Sequence, residues 1–121
     1  MTTTKLELEK KNFDAPDEVR TPSNAEIDVV ELGGKNVMKA TFEPGWRWSK
    51  DIQPVAGGDS CQVHHFGYQT GGVMHIVMND GAEMESGPGD VVDIPPGHDA
   101  WVVGQEPVVV VDFGDVAHYA K

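Results

Sequence analysis

The stretch from Gly87 to Trp101 constrains the fold of this chain more than any other segment. It contains two clusters of turn-forming residues, Gly87–Gly89 and Pro95–Gly97. Glycine accepts positive φ and proline fixes φ, so each cluster is expected to turn the chain. The β-branched residues between and after the clusters suit a half-buried pleated surface. The stretch therefore predicts a turn, a strand, a second turn and a second strand.

The rest of the chain repeats this alternation of short strands and turns. Further strands are predicted at 26–32, 37–42, 61–68, 73–78 and 108–113. Gly33-Gly34 and Asn79-Asp80-Gly81 are typical of hairpin turns, because these residue types tolerate positive φ. No segment of helical length carries a sustained apolar period of a helix. Many short strands separated by regularly spaced turns predict a β-sandwich or a closed barrel.

Composition limits the classes of partner. The chain has 121 residues, enough for one domain, and a net charge of −11 from 20 acidic and 9 basic residues. This charge disfavours nucleic acid and anionic membrane surfaces as partners. No apolar run approaches the ~20 residues that cross a bilayer, and the N-terminus lacks the apolar core of a signal peptide. We expect a cytoplasmic protein that binds a small molecule.

The single cysteine, Cys61, excludes an internal disulfide, in agreement with a reducing compartment. A thiol becomes a reactive nucleophile only when its pKa is lowered. We therefore expect Cys61 to be a small buried thiol rather than a nucleophile.

The spacing of Gly89, Pro95 and Gly97 resembles the second conserved motif of the cupin superfamily, Gly-x5-Pro-x-Gly. The resemblance covers roughly residues 37–114 and implies an all-β fold, the cupin-type double-stranded β-helix, which is an antiparallel jelly-roll barrel. It divides the chain into three regions. Residues 1–36 would pack on the barrel or exchange between barrels, 37–114 would form the cupin barrel, and 115–121 would be a polar tail.

The chain departs from the first cupin motif, Gly-x5-His-x-His-x(3,4)-Glu-x6-Gly. With Gly45 as its first glycine, Asp51 and Gln53 stand where the family has its His-x-His pair. With Gly72 as its last glycine, His65 stands at the acidic ligand position. The span between the two glycines is longer than the motif allows. Residues 50–59 therefore look like an insertion and are a candidate lid over the barrel mouth.

Two histidines are candidate metal ligands by this resemblance. His65 occupies the inward ligand position, and His98 directly follows the second turn, whereas the family's histidine position falls on Ala100. Neutral imidazole suits Fe, Mn, Ni or Zn. His64 and His65 are adjacent on one strand and face opposite sides of the sheet. We expect His65 to face inward and His64 to face the outer surface or a subunit partner.

Aromatic and polar side chains near these histidines are candidates for binding a ligand, because small-molecule pockets have apolar walls with a few polar groups. The candidates are Trp48, Asp51, His64, Tyr68, Asp99 and Trp101. The aromatic ones could instead fill a small barrel. Asp93 and Asp112 interrupt apolar strands, and we expect both to face solvent rather than to act as desolvated bases. His75 and His118 are also expected at the surface.

Two functions are compatible with the sequence. The first is a small-molecule-binding cupin that acts as a metal-dependent enzyme of the dioxygenase, isomerase or lyase type, with one divalent Fe, Mn, Ni or Zn ion in the barrel mouth. The alternative is a non-catalytic, metal-free ligand-binding module, which the missing His-x-His pair favours. The resemblance also implies a homodimer, with Leu6, Leu8 and the strand near Glu26 as its contact.

Overall fold

Two antiparallel β-sheets form most of the fold, and residues 7–121 are the part of the chain that the computed structural model describes. The nine strands of this part are β1 (Glu18–Arg20), β2 (Ala25–Leu32), β3 (Lys35–Phe42), β4 (His65–Gly71), β5 (Val73–Met78), β6 (Glu83–Ser86), β7 (Val91–Ile94), β8 (His98–Val103) and β9 (Val108–Asp112). A π-helical turn at Trp48–Ile52 leads into α1 (Gln53–Ala56). No helix in the described part is long and apolar enough to span a membrane. The predicted all-β architecture is confirmed.

The two sheets face each other across a single apolar core. One sheet has the strand order β1-β2-β3-β9-β4-β7 and the other has the order β6-β5-β8. Successive side chains of a strand point to opposite faces. Accordingly, Met38, Ala40 and Phe42 of β3 are buried, and Met74 and Ile76 of β5 meet them from the other sheet. The core therefore lies between the inner faces of the two sheets.

The N-terminal strands belong to the six-stranded sheet of their own chain. β2 pairs with β3 along its whole length, from Ala25 opposite Phe42 to Leu32 opposite Lys35. Of the predicted dimer contacts, Leu8 is exposed and Leu6 lies outside the described residues. The division of the chain at residues 36 and 114, like the homodimer, stays a prediction.

The segment after β9 packs against the barrel and differs from the predicted polar tail. Val116, Tyr119 and Ala120 are buried in the core. The buried guanidinium of Arg20 in β1 donates hydrogen bonds to the carbonyls of Val116, at 3.0 Å, and Tyr119, at 2.7 Å. Charge-assisted hydrogen bonds of this kind are stronger than neutral ones. The apolar side chains of the segment thus pack in the core, and its carbonyls accept hydrogen bonds from Arg20.

Residues 50–59 lie in the connection between β3 and β4, where Asp51 and Ile52 are buried and 54–59 are exposed. Trp48 and Ile52 of the π-helical turn are buried among the core residues. The carboxylate of Asp51 accepts hydrogen bonds from the Arg47 N–H, at 2.9 Å, and from the Asn24 side chain, at 3.3 Å. Burial opposes ionisation of Asp51, but these hydrogen bonds outweigh it and lower its pKa. Asp51 therefore fixes the shape of this connection.

We predict that Gly97→Ala destabilises the protein, because Gly97 has a φ of +95° and an added Cβ would lie 3.1 Å from Asn79 Nδ2. Left-handed strain of this kind costs about 1–3 kcal/mol. Gly89→Ala is the matched control, since Gly89 has a φ of +93° with nothing within 4 Å of the added Cβ. Urea denaturation should show a larger loss of unfolding free energy for Gly97→Ala than for Gly89→Ala. Wild-type stability of Gly97→Ala would contradict this account of the turn.

Candidate functional site

Two histidines from opposite sheets meet inside the barrel. His65 begins β4 of the six-stranded sheet, and His98 begins β8 of the three-stranded sheet. Their ring centroids lie 5.3 Å apart in an edge-on arrangement. The two candidate metal ligands of the sequence analysis are therefore neighbours on the inner side of the fold.

Cys61 completes this cluster. Its Sγ lies 3.7 Å from His65 Nε2. One potential ligand atom from each of Cys61, His65 and His98 lies within 4.8 Å of the other two. Thiol sulfur and imidazole nitrogen are both metal ligands, so these three residues form a candidate metal centre. The sequence predicts Cys61 in the core but does not connect it with the histidines.

The backbone next to the Gly97 turn holds Cys61 beside His98. The Cys61 N–H donates to the His98 carbonyl at 2.7 Å, and the Gly97 N–H donates to the Cys61 carbonyl at 2.7 Å. Gly97 can adopt its positive φ because it lacks a Cβ. The turn at Gly97 thus also sets the position of the Cys61 thiol, because it holds Cys61 beside His98.

Hydrogen bonds at the Nδ1 atoms leave the Nε2 atoms of both imidazoles for the cluster. The carboxylate of Asp112 contacts His65 Nδ1 at 2.5 Å, and the Pro95 carbonyl contacts His98 Nδ1 at 2.8 Å. Both oxygens are acceptors, so each Nδ1 carries its proton. A partner at Nδ1 that orients the ring and raises its basicity is typical of histidines that ligate metals.

Asp112 is buried at the end of β9, so the prediction that it faces solvent is wrong. Its exposed fraction is 2%. One carboxylate oxygen accepts the N–H groups of Gly114, at 2.8 Å, and Phe66, at 3.1 Å, while the other contacts His65. A buried carboxylate requires such partners. The burial of Asp112 could be read from strand alternation, because Asp112 points to the same side of β9 as Val108, which is buried.

The thiol and the imidazole of this cluster shift each other's ionisation. Burial opposes ionisation of Cys61, but hydrogen bonds with His65 and His98 outweigh it and lower its pKa. Burial likewise opposes protonation of His65, but hydrogen bonds with Asp112 and Cys61 raise its pKa. Both shifts favour a thiolate beside an imidazolium. Cys61 is buried as expected, but its partners on other strands lower its pKa, which its position in the chain does not show.

Tyr119 of the C-terminal segment covers His65. Its ring meets the imidazole edge-on with centroids 5.1 Å apart. Burial raises the pKa of Tyr119 well above its ordinary value, and the charges of Cys61 and Asp112 act in the same direction. The phenol therefore stays neutral beside the cluster. The sequence does not predict this contact, because residues 115–121 were expected to form a polar tail.

A cavity of about 50 Å³ adjoins the two histidines. Its walls come from both sheets and are mostly apolar, with Trp48, Phe42 and Ile94 among them. One water needs roughly 10–15 Å³ of such volume, so the cavity holds a few waters or a small chemical group. Of the six candidate ligand-binding residues, Trp48 is the one that lines this cavity.

Tyr68 and His64 lie on the outer face of the six-stranded sheet. Tyr68 is exposed, and His64 Nε2 contacts the carboxylate of Asp93 outside the barrel. Both positions follow from parity, since His65 and Gly67 of the same strand line the cavity. His64 thus faces the surface, and Asp93 is exposed as expected. Tyr68 does not share the cavity with His65.

Trp101 and Asp99 lie on the outer face of the three-stranded sheet. Trp101 stacks on His75 with ring centroids 4.6 Å apart, and the guanidinium of Arg47 lies 4.5 Å from its ring. Asp99 accepts hydrogen bonds from Arg47 Nε and the Ser49 N–H, both at 3.1 Å. These contacts attach the π-helical turn to β8. They place neither residue in the cavity, because Ala100 and Val102 occupy the inward positions.

Solved structures with the same arrangement of strands settle the fold. The chain is similar to an RmlC-like cupin from Shewanella frigidimarina, with a TM-score of 0.57 and 16% identity over 84% of this chain and 86% of that one. The protein has a small cupin fold. The fold implied by the resemblance at the Gly97 turn is thereby confirmed. No protein-family model and no curated protein sequence matches the chain.

Two further solved structures are similar to the chain in fold. KdgF from a Halomonas species matches with a TM-score of 0.57 and 16% identity, covering 80% of this chain and 86% of that one. The polyketide cyclase RemF from Streptomyces resistomycificus matches with a TM-score of 0.56 and 15% identity, covering 88% and 80%. Identities this low establish the shared fold alone, because one fold hosts many functions.

We predict that Asp112→Asn weakens metal binding by about 10–100-fold, the usual effect of losing the partner that orients a ligating histidine. Asp93→Asn is the matched control, because Asp93 contacts His64 on the outer surface. Chelator competition with Zn²⁺ should separate the two variants. Equal affinities of Asp112→Asn and Asp93→Asn would show that the buried carboxylate does not support a metal centre.

Proposed function

We propose that this cupin-fold protein binds a small molecule in the cavity beside His65 and His98, and that Cys61 joins them in holding one divalent transition metal. The convergence of one sulfur and two imidazole ligand atoms within 4.8 Å carries the proposal. The cluster adjoins the cavity, so a bound molecule would lie next to it. A thiolate with two imidazoles favours Zn, Ni or Fe over Mn, which prefers oxygen ligands.

The donor set fits such an ion in three respects. Both imidazoles direct Nε2 toward it, because their Nδ1 atoms contact Asp112 and Pro95, and His65 would release its Nε2 proton on binding the ion. The lowered pKa of Cys61 favours the thiolate, which is the form of sulfur that ligates metals. The three protein ligands would leave a further position for substrate or water, as in catalytic rather than closed structural sites.

The reaction would depend on residues around the ion as well as on the ion itself. A divalent metal at this site would supply Lewis acidity to a substrate oxygen or to water. Asp112 would hold the Nδ1 proton of His65 and keep its ring in place. The apolar walls would exclude water and strengthen electrostatic interactions with the substrate. We propose an enzyme of the dioxygenase, isomerase or lyase type, in keeping with the enzymes known on this fold.

The metal content of the purified, untagged protein tests this proposal. After growth with added Fe, Mn, Ni or Zn, we expect close to one ion per chain in the wild type. Cys61→Ala, His65→Ala and His98→Ala should each lose it. His64→Ala and His75→Ala are controls, because these histidines lie on the outer faces. A wild-type protein that takes up no metal under any supplementation would overturn the metal centre.

A metal-free, non-catalytic ligand-binding module is the second candidate. It is favoured by the hydrogen bonds among Cys61, His65 and Asp112, which can satisfy one another without an ion. The cavity would then bind an apolar ligand through its walls. This candidate predicts ligand binding that chelators leave unchanged. We retain the cytoplasmic location and the homodimer as predictions from the sequence.

A further inference from the structure

The two sheets each end in an edge strand on the same side of the barrel. β6 is the last strand of the three-stranded sheet and β7 is the last strand of the six-stranded sheet. They follow each other in the chain through the turn at 87–90, yet among residues 7–121 each pairs with only one strand, β6 with β5 and β7 with β4. A seam between the sheets therefore runs along β6 and β7.

Side-chain hydrogen bonds close this seam near the turn. The Ser86 hydroxyl donates to Gln69 Oε1 at 2.6 Å, and Gln69 Nε2 donates back to the Ser86 carbonyl at 3.1 Å. Gln69 Nε2 also lies 2.9 Å from the Gly72 carbonyl. Both side chains are buried. This end of the seam is sealed, because two buried polar groups satisfy each other across it.

The other end of the seam is open. Ile76 of β5 and Met84 of β6 are opposite each other in register and share the inner face of their sheet. Ile76 is 2% exposed, whereas Met84 is 41% exposed. The inner face of the barrel thus reaches solvent at Met84. A groove of about 140 Å³ lies there, with Met78 and Pro95 in its walls.

This groove adjoins the inner cavity. Ile76 and Ile94 line both spaces, so their side chains form the partition between the groove and the cavity at His65. Side chains change rotamer rapidly, and methionine is the most adaptable apolar side chain. Small movements at Ile94 and at the groove methionines would therefore join the two spaces.

The rim of the groove is acidic. Glu83 and Asp93 line it, and their side chains are 60% and 61% exposed. Glu83 and Glu85 contact His75, and Asp93 contacts His64. Even with both histidines protonated, three carboxylates outnumber two imidazolium groups. The whole chain, these carboxylates included, carries a net charge of −11. Clefts with one sign of charge concentrate ligands of the opposite sign.

We propose that the groove between β6 and β7 is the entrance and the outer half of the ligand site. It takes molecules with an apolar end, which enters the cavity, and a neutral or cationic end, which stays at Glu83 and Asp93. Anionic molecules are disfavoured. This inference rests on the proposed ligand site in the cavity, but it does not depend on the metal.

Cys61 is a built-in reporter for this entrance, because it is the single cysteine, is 2% exposed and lies 3.7 Å from the cavity residue His65. Its thiolate attacks methyl methanethiosulfonate, forms a mixed disulfide and releases methanesulfinate. In the full chain under a metal chelator, Ile94→Phe should slow this reaction several-fold. Val55→Phe, on the exposed surface of α1, should leave the rate unchanged.

Destabilisation cannot imitate this result, because partial unfolding would expose Cys61 and raise the rate. Ile94→Ala is the second variant and should accelerate the reaction by widening the partition. A rate that Ile94→Phe leaves at the wild-type value, or a decrease in Val55→Phe instead, would overturn the assignment of the entrance. The metal proposal would stand in either case, since the experiment uses metal-free protein.

Two charged reagents of similar size test the acidic rim. We expect trimethylammonium-ethyl methanethiosulfonate to react faster with Cys61 than sulfonatoethyl methanethiosulfonate, with the charged tail of each trailing in the groove. The double variant Glu83→Gln/Asp93→Asn should lower this rate ratio several-fold. Asp14→Asn/Glu31→Gln removes the same charge at exposed positions outside the groove. An equal decrease of the rate ratio in both double variants would show that the preference for the cationic reagent comes from net charge alone. That result would overturn the role of the acidic rim.

Discussion

The buried contact between His65 and Asp112 is the interaction on which the site depends. It joins the first residue of β4 to the last residue of β9, next to the register at which those two strands pair. A carboxylate at this depth is costly unless its oxygens are satisfied, and the N–H groups of Phe66 and Gly114 satisfy one of them. The other oxygen orients the imidazole. The geometry of the cluster is therefore fixed, because a shift of this backbone would leave the buried carboxylate without its hydrogen bonds.

The Gly97 turn supplies the second constraint, because it positions Cys61 in the cluster. In this chain Asp51 and Gln53 stand where the resemblance puts those histidines, and Asp51 caps the backbone of the π-helical turn. Cys61 instead bonds to the backbone of Gly97 and His98 and brings its sulfur to His65. A cluster of potential ligand atoms is thus present inside the barrel, although the His-x-His pair is absent from the sequence.

The sequence was sufficient for the fold and for part of the site, for reasons that particular residues make clear. Gly89, Pro95 and Gly97 act locally, because the two turns they form require only their own φ values. Short strands and turns left a sandwich or a barrel, and the resemblance carried by this spacing supplied the barrel topology. Strand alternation put His64 and His65 on opposite faces of the sheet, and the resemblance chose His65 as the inward one. The contact partners of Cys61, Asp112 and Tyr119 depend on which strands and segments become neighbours, which local patterns do not encode. Trp101 and Tyr68 were proposed as pocket residues because they are aromatic, but their parity places them outside.

The most direct test of the central claim is the ultraviolet spectrum of the protein loaded with Co²⁺, because a thiolate ligand produces a sulfur-to-cobalt charge-transfer band. The account predicts this band at one ion per chain in the wild type, its loss in Cys61→Ser and its retention in His64→Ala. Stoichiometric Co²⁺ binding without the band, or the same band in Cys61→Ser, would contradict a metal centre built from Cys61, His65 and His98.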